Sequence, residues 1–71
     1  MKLSFLDVVV LTRSLTGQYL QKGAIGTIVE MLPKNVFLVE FADKRGVTYA
    51  IVDLPASLLM KVVREPLAEA A

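Results

Sequence analysis

Val36-Phe37-Leu38-Val39-Glu40-Phe41 is a short run of β-branched, aromatic and aliphatic residues, the composition that packs best on a pleated, half-buried surface. Leu32-Pro33-Lys34-Asn35 precedes it and Ala42-Asp43-Lys44-Arg45-Gly46 follows it. Pro33 presets φ for a turn, and Asn35 tolerates the left-handed region. Gly46 takes positive φ without a Cβ penalty. Neither connection is long enough for a crossover helix, so both must reverse the chain into an antiparallel neighbour. Those neighbours are Ala24-Ile25-Gly26-Thr27-Ile28-Val29-Glu30-Met31 and Thr48-Tyr49-Ala50-Ile51-Val52-Asp53. The centre of the chain is therefore predicted to be a three-stranded meander.

Working outward, Asp7-Val8-Val9-Val10-Leu11 and Met60-Lys61-Val62-Val63 supply a first and a last strand. The connection from Thr12 to Lys22 is long and polar with Gly17 inside it, and Leu15, Tyr19 and Leu20 are expected to fold it back onto the body. Leu54-Pro55-Ala56-Ser57-Leu58-Leu59 is too short for an α-helix and reads as one 3₁₀ turn. This order predicts an all-β fold: a small five-stranded SH3-like barrel with a 3₁₀ turn before the last strand. A closed or nearly closed barrel also limits exposed sheet edges. The expected domain is 1–63. The tail 64–71 has no strand pattern and is either frayed or a short helical extension.

At 71 residues the chain has room for one domain. A single core of this size yields only about 3–5 kcal/mol of net stability, so small domains often carry a staple. With no Cys there is no disulfide, and with neither Cys nor His there is no zinc site. Hydrophobic residues make up 55% of the chain, more than so small an interior hides, so some must face outward. Soluble proteins always expose some apolar area, but an outward apolar patch usually means a partner surface, which is the expectation here. The formal charge of +1 argues against a strong nucleic-acid footprint. No apolar run is long enough to span a membrane. The first residues are too short and too soon charged for a signal peptide, so a cytoplasmic location is expected.

Alternation orients the strands. If Glu40 faces water, then Phe37, Val39 and Phe41 are core, and Val36 and Leu38 lie outside. If Asp7 faces water, then Leu6, Val8 and Val10 point inward, and Val9 and Leu11 point outward. If Asp53 faces water, then Ala50 and Val52 are inside, and Tyr49 and Ile51 outside, unless a one-residue bulge reverses them. A bend at Gly26 would let both Ile25 and Ile28 reach the core. The expected outer apolar surface is thus Val9, Leu11, Val29 and Leu38, with Ile51 beside it.

Catalytic chemistry finds little to work with. Ser4, Ser14 and Ser57 have no base near them in sequence, and nucleophilic catalysis needs one. Glu40 and Asp43 flank a turn, where Asp43 has a structural role. Gly23 and Gly26 are followed by neither a helix nor a GK[ST] signature, so no phosphate loop is formed. The expectation is a non-enzyme without cofactor or metal. Lys44-Arg45 at a hairpin tip reads as a solvated pair. Tyr19 and Tyr49 are the residue type that holds polyproline segments, but the chain has no Trp and few aromatics.

Lys22-Gly23-Ala24-Ile25-Gly26-Thr27-Ile28-Val29 resembles the glycine-rich stretch of KOW-type SH3-like barrels. That likeness implies a nucleic-acid alternative in which Lys22, Lys34, Lys44 and Arg45 gather on one rim. A fuller resemblance rests on Leu6-Asp7-Val8-Val9, Gly23-x-x-Gly26-Thr27-Ile28-Val29-Glu30, Phe37-Leu38-Val39-Glu40-Phe41 and Leu54-Pro55-Ala56-Ser57-Leu58-Leu59. In order and spacing these are similar to a small bacterial family, domain of unknown function 4926, over about residues 5 to 63. The resemblance implies an SH3-like barrel and no established activity. It also implies gene neighbourhoods of toxin–antitoxin or immunity character, hence an antitoxin- or immunity-type partner as one alternative. Members tend to be polar or charged where this chain has Leu38. The expected function is a protein-interaction module that forms a homodimer or binds a neighbouring-gene product through its outer apolar strands.

Overall fold

The computed structural model describes residues 2–63. The strands are β1 (Val8–Leu11), β2 (Ile25–Leu32), β3 (Val36–Ala42), β4 (Thr48–Pro55) and β5 (Leu59–Lys61). All pairs are antiparallel, and the order across the sheet is β4-β3-β2-β1-β5. A 3₁₀ turn at Ala56–Leu58 leads into β5, and a second at Thr16–Gln18 lies inside the long first connection. There is no α-helix among the described residues. This is the expected SH3-like barrel, with the meander at its centre. The tail 64–71 lies outside the described residues.

Local chemistry explains the reversals. Lys34 and Asn35 both take positive φ between β2 and β3, where Asn35 was expected to bear that strain. Between β3 and β4, Asp43 Oδ1 accepts the Arg45 and Val47 N–H groups at 2.8 and 3.0 Å, and Gly46 sits at φ 80°. Asp43 thus spends its carboxylate on closing its own loop. The long connection does fold back: Leu20 is buried, Leu15 packs on the core, and the two are bridged to each other. Tyr19 does not join them and projects into solvent.

The core is Leu3, Val9, Leu11, Leu20, Ile28, Phe37, Val39, Phe41, Leu54 and Leu59. Phe37, Val39 and Phe41 lie inside as expected, and Ala50 and Val52 pack against them from β4. The feared bulge on β4 exists. Phe41 pairs with Ala50 and Ala42 with Thr48, so Tyr49 is the extra residue. It falls before Ala50 and leaves the later alternation unchanged.

Two expectations fail. Val9 and Leu11 are 0% exposed, so the assignment of β1 is inverted, and neither can line an outer surface. The alternation itself is right, but its anchor is wrong, because Asp7 does not face water. Its Oδ2 accepts the Ser4 N–H at 2.8 Å and lies 3.4 Å from Lys61 Nζ. A carboxylate so partnered sits at the barrel mouth on the same side as Val9, whose β5 neighbour is Lys61. Leu6, expected inside, is exposed at φ 69°. Its N–H donates to the Ile28 carbonyl, while the Ile28 N–H donates to the Asp7 carbonyl. Two residues thus oppose one, a bulge whose left-handed position glycine usually holds.

The second failure is Ile25, which is 59% exposed while Ile28 is buried. Gly26 does not turn both inward. A Cβ on Gly26 would lie 2.6 Å from Val39 Cγ1 and 3.0 Å from the Glu40 carbonyl oxygen. Glycine is therefore required by close approach of β3. The irregularity in β2 comes later, where Val29 is left over between the Ile28 and Glu30 pairings. Such a bulge adds twist and helps the sheet coil.

Candidate functional site

Inverting β1 moves the outer apolar surface rather than removing it. Val10 pairs with Ile25 on one side and Met60 on the other. Val8 pairs with Thr27, and its carbonyl accepts the Val62 N–H at 2.9 Å. Directly opposed residues of an antiparallel pair share one face. The outer face of β2-β1-β5 is therefore two parallel rows, Ile25–Val10–Met60 and Thr27–Val8–Val62. Ile25 and Met60 are more than half exposed, Val8 is exposed, and Val10 and Val62 are half-buried. Leu6 extends the surface, and Leu6, Val8, Ile25 and Val62 line a shallow groove that ends at Asp7. Neither row carries a charge.

The outer face of β2-β3-β4 is built differently. Its rows are Thr27–Glu40–Ile51, Glu30–Leu38–Asp53 and Leu32–Val36–Pro55. Leu38 is half-buried between two carboxylate-bearing neighbours. Glu40 accepts a hydrogen bond from Thr48 Oγ1. Of the residues expected to form the outer surface, Val29 and Leu38 are half-buried on this side of β2 and β3, and Val9 and Leu11 are core. The four do not come together. Val8, Val10, Ile25, Met60 and Val62 do, and they were missed. Had Asp7 been read as a turn acceptor for Ser4 three residues earlier, the parity of β1 would have followed.

The cations also separate. β3 runs about 20 Å from the Lys34 turn to the Asp43–Gly46 loop at some 3.3 Å per residue. Lys34 therefore stands at the opposite end from Lys44 and Arg45. Lys22 precedes β2, whose first residues pair with the end of β3, so Lys22 shares the Lys44–Arg45 end. The four cations do not form one rim. Tyr19 and Tyr49, by contrast, do converge: with Gln21, Lys22, Gly23 and Ala24 they line one groove.

A family model described as domain of unknown function (DUF4926) matches residues 5–61. No curated protein and no solved structure matches the chain.

Proposed function

The chain belongs to the DUF4926 family, and we propose that it acts as a non-catalytic interaction module that self-associates through the outer face of β2-β1-β5. The observation that carries this reading is the uncharged double row Ile25–Val10–Met60 and Thr27–Val8–Val62. A two-fold interface places each patch on its own copy. On this face like meets like without charge. On the β2-β3-β4 face Glu30, Glu40 and Asp53 would meet their own copies, and like charges across an interface are costly. A formal charge of +1 adds little general repulsion. The small core, with no disulfide to reinforce it, gives association a stabilising role. The non-catalytic reading draws on the lack of His and Cys and on Asp7 and Asp43 being engaged in turns.

Sedimentation velocity over a concentration series tests the proposal. The wild type is expected to shift from monomer toward dimer as concentration rises. Ile25→Glu should remain monomeric, whereas Leu38→Glu, on the other face, should associate like the wild type. A wild type that stays monomeric at millimolar concentration, or a Leu38→Glu variant that alone loses association, contradicts it.

A further inference from the structure

We infer that the groove between Tyr19 and Tyr49 is a stacking site for single-stranded nucleic acid, with Lys22, Lys44 and Arg45 meeting the phosphates. The inference concerns another surface than the self-association face and stands independently of it.

Tyr19 is the starting point. It is 92% exposed, so its ring returns almost nothing in packing. Its backbone is nonetheless held at φ 57°, ψ 32°, closing the 3₁₀ turn with its N–H on the Thr16 carbonyl. The left-handed region costs a bulky residue about 1–2 kcal/mol and is usually given to Gly or Asn. Stability does not account for a tyrosine here. Display of a flat ring does, and strained positions of this kind gather at binding sites. The loop beneath is firm, because Leu15 and Leu20 are bridged and Leu20 is buried.

Tyr49 is the opposite wall. Its ring centroid lies 6.4 Å from that of Phe41, tilted by 41°, and Phe41 is buried in the core. One side of Tyr49 is therefore backed by the core, while the residue remains 53% exposed. A ring backed by the core on one wall, and a fixed backbone beneath the ring on the other, reduce the ordering cost of binding. The floor between them includes Gly23, at φ 94° with open space where a Cβ would be.

Charge decides the ligand class. Lys22 lines the groove, and the Lys44–Arg45 loop lies at the same end of the sheet. Among the described residues none of these three cations has an ion pair. Asp43, the carboxylate nearest in sequence to Lys44 and Arg45, accepts amides of its own loop. The +1 total conceals an uneven distribution: Glu30, Asp53 and Asp7 belong to the other end of their strands, and the carboxylates at this end, Glu40 and Asp43, are hydrogen-bonded to Thr48 and to the loop amides. Flat π faces beside three cations that make no ion pair among the described residues suit a polyanion of stacked rings, and such grooves bind single strands with little sequence preference. A proline-rich peptide would use the tyrosines but leave the cations without a partner.

The chain has two Tyr and no Trp, so its intrinsic fluorescence reports on this groove alone. Titration with dT12 and rU12 at low salt, followed by tyrosine quenching and by anisotropy of labelled oligomer, should give saturable binding. Tyr19→Ala should weaken it at least about fivefold, the lower range for losing one base–aromatic stack, and Tyr19→Phe should restore it. Lys22→Ala should lower the slope of log K against log salt by about 0.7, the single-strand value for one phosphate contact. Because Tyr19 is exposed, its replacement leaves the fold intact, which circular dichroism verifies. No saturable binding at low salt, binding unchanged in Tyr19→Ala, or quenching by an acidic proline-rich peptide but not by either oligomer would overturn the inference.

Discussion

The two outer faces of this sheet share strand β2 and differ in one respect, where charge is allowed. On β2-β3-β4 the rows contain Glu30, Glu40 and Asp53 among Leu38, Val36 and Ile51. On β2-β1-β5 the rows contain none; Asp7 and Lys61 belong to the same segments and pair with each other, Asp7 standing at the end of the groove. A charged side chain on an exposed strand is an ordinary way to keep it solvated and unpaired. Its absence from one face only is what supports the interface proposed there. The same strand β1 is thus core on its Val9 side and open to solvent on its Val8 side, where the proposed interface lies.

The largest effect should come from breaking that division within β1. Val9→Asp places an unpaired charge among fully buried side chains, a cost of about 3–5 kcal/mol that matches all the stability a core this small supplies. It should not give a folded protein by circular dichroism, whereas Val8→Asp should fold normally. If Val8→Asp unfolds and Val9→Asp does not, the register of β1 is the reverse of that described. A smaller loss is expected at the seam between the faces. Gly26→Ala drives a methyl into Val39 and the Glu40 carbonyl, an overpacking of about 1–3 kcal/mol. Urea denaturation should place its midpoint well below wild type, and an unchanged midpoint would mean that β3 does not press on β2 there. The smallest effect belongs to Asp7→Asn. The partly exposed pair with Lys61 is worth no more than about 1 kcal/mol, and an amide oxygen still accepts the Ser4 N–H. A loss of several kcal/mol would show that Asp7 holds the barrel mouth together.

Much of this fold is legible in the sequence. Strands β2 to β4 are each longer than a single alternation and are closed by turns with specific residues, Asn35 and Gly46, so their order follows, and with it the inward residues of β3 and β4. In β2 only Ile28 of the two isoleucines expected in the core is buried. Glu40 and Asp53 are true surface charges, and the sides assigned from them hold. β1 is short and is entered through a bulge at Leu6, and the single charge beside it is partnered. Taking Asp7 as solvated therefore inverts five residues together, Leu6 and Val8 to Leu11. Contacts far apart in sequence hide the rest: the Asp7–Lys61 pair, the Val39 methyl over Gly26, and the meeting of Tyr19 with Tyr49 across the groove. No local pattern announces any of them.

The central claim is that the uncharged face is the one that meets a second copy. The chain has no Cys, so single-cysteine variants cross-link only where they are placed. Val10→Cys, Ile25→Cys and Met60→Cys span one row at about 5 Å spacing, and so sample the face at three positions. Leu38→Cys and Ile51→Cys probe the other face. Under mild oxidation, the account predicts rapid disulfide dimers from the first set, with little from the second. Rapid dimers from Leu38→Cys or Ile51→Cys and none from the Val10 row would contradict it.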